Sequence, residues 1–220
     1  MFRTEDSNPS IKPKVLLVNL EGTEEGQTAG KLLEAMNIEA IFVGSEALDM
    51  TVTEAFGTLE LPPEDPDKAI REEEPDGSSV AGDTKLLVMG AMTRQELEKF
   101  LEDYRQTEAP PVRLKAVATH NNKDWKLRNL AFELNREQQT MSLYSVLVRS
   151  IQAVEMMNAK DYTRETWDIL EAQAVKAAEY VAMLRSQKEV PIPALQESWN
   201  GLQDAVNGLI PSLEDEEPFE

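Results

Sequence analysis

His120 is the only histidine among the 220 residues, and there is no cysteine, so the chain offers few proton-transfer and nucleophilic groups. An imidazole titrates near neutral pH and can serve as a general base. No serine, thiol or second histidine is fixed beside this one by the sequence, so a catalytic triad cannot be assembled around it. The neighbours of His120 suggest another chemistry. Thr119, Asn121 and Asn122 stand between a short apolar run and an amphipathic segment. There, the free amides of a starting helix suit a small anion or carboxylate. Trp125 can stack on a ligand or anchor the helix to a core. Asn121 or Asn122 can equally act as an N-cap and Asp124 as a first-turn acid facing the helix dipole, so capping alone accounts for these residues without a ligand.

Gly22, Gly26 and the pair Gly30-Lys31 invite a nucleotide-loop reading, and it fails. No glycine stands five residues before Gly30, Leu32 replaces the required Ser or Thr, and Glu21, Glu24 and Glu25 crowd the place of the phosphates. Carboxylate groupings such as Glu24-Glu25 and Glu72-Glu73-Glu74 lie in loops or at helix starts, which makes a paired-carboxylate or magnesium site a weak reading. Without cysteine there is no zinc-thiolate site, and one histidine cannot make a multi-histidine one. No cofactor or metal is implied, and no catalytic residue is assigned.

The elements that must position residues 114–125 alternate along the first part of the chain. Residues 14–20 form a continuous Val/Leu run, as in a strand covered on both faces. Thr23 can cap a helix whose apolar side holds Leu32, Leu33 and Met36, and 38–43 is a second apolar run. Thr51 with Glu54, and Thr93 with Glu96, fit the reciprocal capping-box spacing and predict two more helices. Residues 85–90 and 113–118 read as the third and fourth strands, and 125–137 as the helix that follows. Between them, 62–83 is rich in Pro, Glu, Asp, Gly and Ser and reads as an acidic loop. Residues 1–13 read as a flexible N-terminus.

This order predicts an α/β domain over 14–139 with a four-stranded, parallel sheet and right-handed crossovers. Direct antiparallel pairing of the second and third strands would give a ferredoxin-like βαββαβ sandwich instead. In the parallel arrangement the strands' carboxyl ends bring Asn19 and Glu21 to the same edge as Thr119, His120, Asn121, Asn122 and Trp125, where open α/β sheets bind ligands.

Beyond Gln139 the strand signal disappears. Leu143, Val146, Leu147, Ile151 and Val154 recur at helical spacing, as do Trp167, Leu170, Ala174, Ala177 and Val181, then Leu195, Trp199, Leu202, Val206 and Leu209. The expectation for 140–212 is an antiparallel three-helix bundle, with Pro193 in the first turn of its last helix and an acidic tail over 213–220.

Two resemblances attach to these residues. The run 14–20, the 51–57 helix, Val88-Met-Gly90 before Leu97 and Leu101, and above all Leu114, Lys115, Thr119, Asn122, Trp125, Leu130, Glu133 and Glu137 resemble a bacterial family of unknown function, DUF3783, over about 14–139. The family name implies no activity. Residues 161–167, with Leu170, Ala174, Ala177, Trp199 and Leu202, resemble a FIVAR module over about 143–209. That resemblance implies a three-helix bundle of the kind that accompanies wall- or carbohydrate-acting domains.

A net charge of -19 sets the field in which any partner arrives. It repels a phosphate backbone and an anionic membrane surface, so nucleic acid and membranes are not expected partners. The first residues hold no apolar h-region, and no run is long enough to cross a bilayer, which predicts a cytoplasmic protein. Lacking every strong catalytic motif, the chain reads as a non-catalytic interaction or regulatory module for a protein or small ligand. The alternative is a small α/β hydrolase or transferase with its site at the carboxyl edge around Asn19, Glu21, Thr119, His120 and Asn122.

Overall fold

The computed structural model describes residues 12–61 and 73–212. The terminal stretches 1–11 and 213–220, and 62–72 of the expected acidic loop, lie outside the described residues. The chain divides into two compact units, Met1–Asn135 and Arg136–Glu220.

The first unit is a sheet with helical layers on both faces. Its strands are β1 (Lys14–Val18), β2 (Glu39–Val43), β3 (Leu86–Gly90) and β4 (Leu114–Val117), in the order β2-β1-β3-β4. The two central strands are apolar at nearly every position because each is covered on both sides. On one face Val15, Leu17, Leu87 and Met89 pack under α1 (Glu24–Ala35) and α3 (Arg94–Arg105), which contribute Ala29, Leu33, Phe100 and Tyr104. On the other, Leu16, Val18, Leu86, Val88, Leu114 and Ala116 pack under the short helix α2 (Val52–Phe56) and the first turns of α4 (Leu127–Glu155). Each fully buried Leu in these layers contributes on the order of 1.5–3 kcal/mol.

The sheet is mixed, which corrects the expected parallel arrangement. β1 and β2 run parallel, as do β3 and β4, but β1 and β3 are antiparallel. The ferredoxin-like alternative fails as well, because it requires β3 to pair with β2. The cause lies in the connection between β2 and β3. A single crossover returns a strand in the parallel sense, whereas this connection traverses the sheet's face twice. It reaches the start of β1 by Thr58, whose hydroxyl accepts from Lys14 Nζ at 3.1 Å. Residues 73–84 then travel back. Glu74 meets Lys126 at one end, and Gly82 and Thr84 meet Asn19 at the other. At Gly77 the returning chain passes so close to α4 that a Cβ would sit 2.5 Å from the Arg128 carbonyl oxygen.

Local capping formed as the spacing predicts. Thr23 accepts from the Gly26 amide, and Thr51/Glu54 and Thr93/Glu96 both close reciprocal capping boxes. The helix expected over 125–137 and the one expected from about 143 are a single helix, α4. In the second unit α4 supplies Leu147 and Val154 to a core shared with α5 (Arg164–Arg185) and α6 (Ile192–Asn207), which contribute Leu170, Ala177, Val181, Leu195 and Leu202. Pro193 lies at the start of α6. The segment after α6 closes on the turn before α5, where Thr163 N donates to Ile210 O at 2.8 Å and Ser212 N to Asp161 O at 2.9 Å.

Candidate functional site

The mixed sheet separates the residues that one parallel edge would have gathered. β1 and β2 end at one edge, with Asn19 and Glu21; β3 and β4 end at the opposite edge, with Thr119, His120, Asn121, Asn122 and Trp125. The structure therefore brings together the members within each set, but not the two sets.

At the first edge Asn19 has a left-handed backbone, with φ 54°, a conformation that asparagine tolerates better than most residues. Its amide nitrogen donates to both Gly82 O and Thr84 O at 2.9 Å, which fastens the incoming chain of β3 beside β1. Glu21 is exposed. The neighbouring Glu25 receives a 2.7 Å hydrogen bond from Lys85 Nζ, and this bond holds its carboxyl below the usual carboxylate range.

At the second edge the strand-to-helix corner is closed by its own side chains. Asn122 Oδ1 accepts from Thr119 N at 2.9 Å, Thr119 Oγ1 accepts from Asn122 N at 3.3 Å, and Asn122 Nδ2 donates to Val117 O at 3.0 Å. Trp125 is 7% exposed and belongs to the core beneath α2, so its ring is an anchor and not a platform. Its carbonyl accepts from Val52 N at 2.9 Å, while Lys123 O takes both Thr53 N and Thr53 Oγ1 at 2.9 Å. His120 and Asn121 are half-buried and neither is without a partner. The anion-binding potential of the following helix start is already used: Glu74 Oε1 accepts from Lys126 N and from Asn129 Nδ2, both at 2.7 Å. A carboxylate from the returning chain thus occupies the place that a ligand anion would take. Among the described residues, no three His, Asp or Glu side chains converge as a metal would require.

Sequence reasoning missed the two open flanks of the sheet, because strand order decides which strands are edges. They differ in chemistry. In β4 the side chain of Lys115 points along the α3 face, donates to Val112 O and lies 6.0 Å from the centre of the Tyr104 ring. Burial pushes its ammonium pKa down, and burial likewise pushes the Tyr104 phenol up. An inward-facing lysine and the Asn122 amide on Val117 O are devices that discourage a further strand from adding here.

β2 has neither device. Glu39 N donates to Pro13 O and Val43 O accepts from Asn19 N, so 39, 41 and 43 face β1. By the alternation of a ladder, Ala40 and Phe42 turn their amides and carbonyls outward. Among the described residues no strand pairs with that side. Beside it lies an open groove of about 890 Å³ against the flank of α1, floored by Met36, Ile38, Ala40 and Phe42 and bordered by Glu34 and Glu96. Phe42 is 39% exposed.

No curated protein and no solved structure matches this chain. Residues 85–141 match the family model described as "Domain of unknown function (DUF3783)", a span that holds β3, α3, β4, the Thr119–Asn122 corner and the first turns of α4, and excludes Asn19 and Glu21.

Proposed function

We propose that the protein is a cytoplasmic, non-catalytic interaction or regulatory module that binds a protein or a small ligand. In this reading the likeness to DUF3783 extends back to the strand at 14–20. The C-terminal helices make an antiparallel three-helix bundle of the FIVAR kind, and nucleic acid and membranes are not partners. The net charge of -19 supports the exclusion of polyanionic partners.

The observation that carries the reading is the use to which the polar side chains at the two carboxyl edges are put. Asn19, Thr119 and Asn122 spend their hydrogen-bonding groups on the protein's own backbone, and Trp125 is in the core. A catalytic constellation needs groups aimed at a substrate position and held by others. These groups are instead the holders. Assaying the chain against panels of ester, phosphoester, glycoside and acyl-transfer substrates is expected to give no turnover above the His120→Ala variant. Turnover of a defined substrate that His120→Ala abolishes, with the variant's unfolding curve unchanged, would replace this reading with a hydrolase or transferase.

A further inference from the structure

Among the described residues of the first unit, the flank of β2 brings together a strand's unpaired hydrogen-bonding edge, an apolar groove and an uneven charge. We infer that this flank is a docking site for an extended, basic peptide segment of another protein, which adds to the sheet as a fifth strand next to β2. The inference rests on the interaction reading above and gives it a partner class.

The outward amides and carbonyls of Ala40 and Phe42 supply main-chain pairing, which fixes an incoming segment without regard to its sequence. Side chains of that segment would alternate between the sheet's two faces. Those on the α1 side enter the groove, where Met36 and the half-exposed ring of Phe42 offer an apolar seat. The Phe42 ring lies against α1 at Gly30, where a Cβ would meet it at 3.4 Å, an ordinary van der Waals contact. Charge selects the occupant. Glu34 and Glu96 border the groove, while at the start of the strand Glu39 is paired with Lys14 at 3.5 Å and Lys12 lies close by, so the uncompensated charge of the groove is that of Glu34 and Glu96. With a whole-molecule charge of -19, long-range attraction favours a basic segment and opposes a second copy of this chain. The contrast with β4 strengthens the assignment, because that edge carries an inward lysine and a capped carbonyl whereas β2 carries neither.

The test uses the full chain and a dye-labelled, end-capped peptide of alternating Lys and Val, with anisotropy as the readout at about 150 mM salt. Three comparison peptides accompany it: the same sequence N-methylated at every second amide, an alternating Glu and Val peptide, and a Lys and Gly peptide of equal charge. Binding is expected for the Lys and Val peptide, with at least about tenfold loss on N-methylation and no binding of the acidic one. Ala40→Pro removes an outward donor without touching the β1 ladder and is expected to weaken binding about tenfold. Glu34→Lys, on the exposed side of α1, is expected to weaken it several-fold, and Glu171→Lys in α5 to leave it unchanged.

Equal affinity for the N-methylated or the Lys and Gly peptide would mean general attraction to an acidic protein and would overturn the site. A sedimentation-detected dimer that Ala40→Pro dissolves would overturn the occupant in favour of a second copy. Peptide binding unaffected by Ala40→Pro and Glu34→Lys overturns the β2 site and leaves an interaction role standing. Substrate turnover removes the interaction role, so the two failures are told apart.

Discussion

Asn122 shows how a residue that looks like a ligand group can be fully employed by the backbone. Its side chain accepts from Thr119 N and donates to Val117 O, and Thr119 answers with its hydroxyl. The pair closes the corner between β4 and α4 much as a capping box closes a helix start. Asn122→Ala leaves one amide and one carbonyl without these partners and is expected to lower stability by about 1–2 kcal/mol. Thr119→Ala removes only the longest of the three bonds and should cost less, about 0.5–1 kcal/mol. The double variant should cost less than the sum, because each side chain positions the other. Urea unfolding of the four proteins measures all three; strict additivity would show that the two side chains act separately. Asn19 plays the matching part at the opposite edge, where a left-handed backbone and two carbonyl contacts fix the entry of β3.

At the scale of elements, the returning chain between β2 and β3 decides the topology, and Lys85 with Glu25 is one of its fastenings. The hydrogen bond from Lys85 holds the Glu25 carboxyl below its ordinary value. A carboxyl with a lower pKa in the folded state contributes stability that is complete above about pH 4.3 and is lost as pH falls through the folded value. Lys85→Met is therefore expected to be less stable than the parent at pH 7, by under about 1 kcal/mol for a pair this close to solvent, with the difference shrinking as the pH is lowered toward about 3. A difference in urea midpoint that is the same at both pH values would assign the loss to packing of the lysine stem instead. The capping boxes at Thr51 and Thr93 and the apolar runs of β1 and β3 are legible in the sequence, because their chemistry is complete within a few residues. The strand order is not, because it depends on residues 73–84 crossing a face with little apolar content beyond Val80. The candidate site inherits that limit. Thr119, Asn122 and Trp125 are correctly read as one corner, whereas Asn19 and Glu21 join them only in a sheet whose strands all point one way.

At the scale of the whole molecule, charge acts on stability as well as on partners. The 41 acidic residues outnumber the 22 basic ones, so even complete pairing leaves 19 carboxylates without a cation. Many of the pairs that do form are exposed and local, such as Arg94 with Glu98 and Arg164 with Asp168, and each is worth well under about 1 kcal/mol. Salt weakens both the pairs and the repulsion, and the sign of its effect reports which is larger. Raising the ionic strength from about 0.01 M to about 0.15 M shortens the screening length from roughly 30 Å to 8 Å. Repulsion between charges farther apart than the screening length is suppressed over that range, whereas an ion pair at contact distance is screened less. Repulsion is thus relieved more than attraction is lost, and the expected outcome is a urea midpoint that rises with sodium chloride over this range. Glucose or sucrose at matched osmolality serves as the control for general exclusion effects. A midpoint that falls with salt would mean that attractive pairs dominate the folded state. It would also remove the electrostatic ground for expecting a basic partner in preference to a second copy of the chain, since the two expectations share the same uncompensated charge.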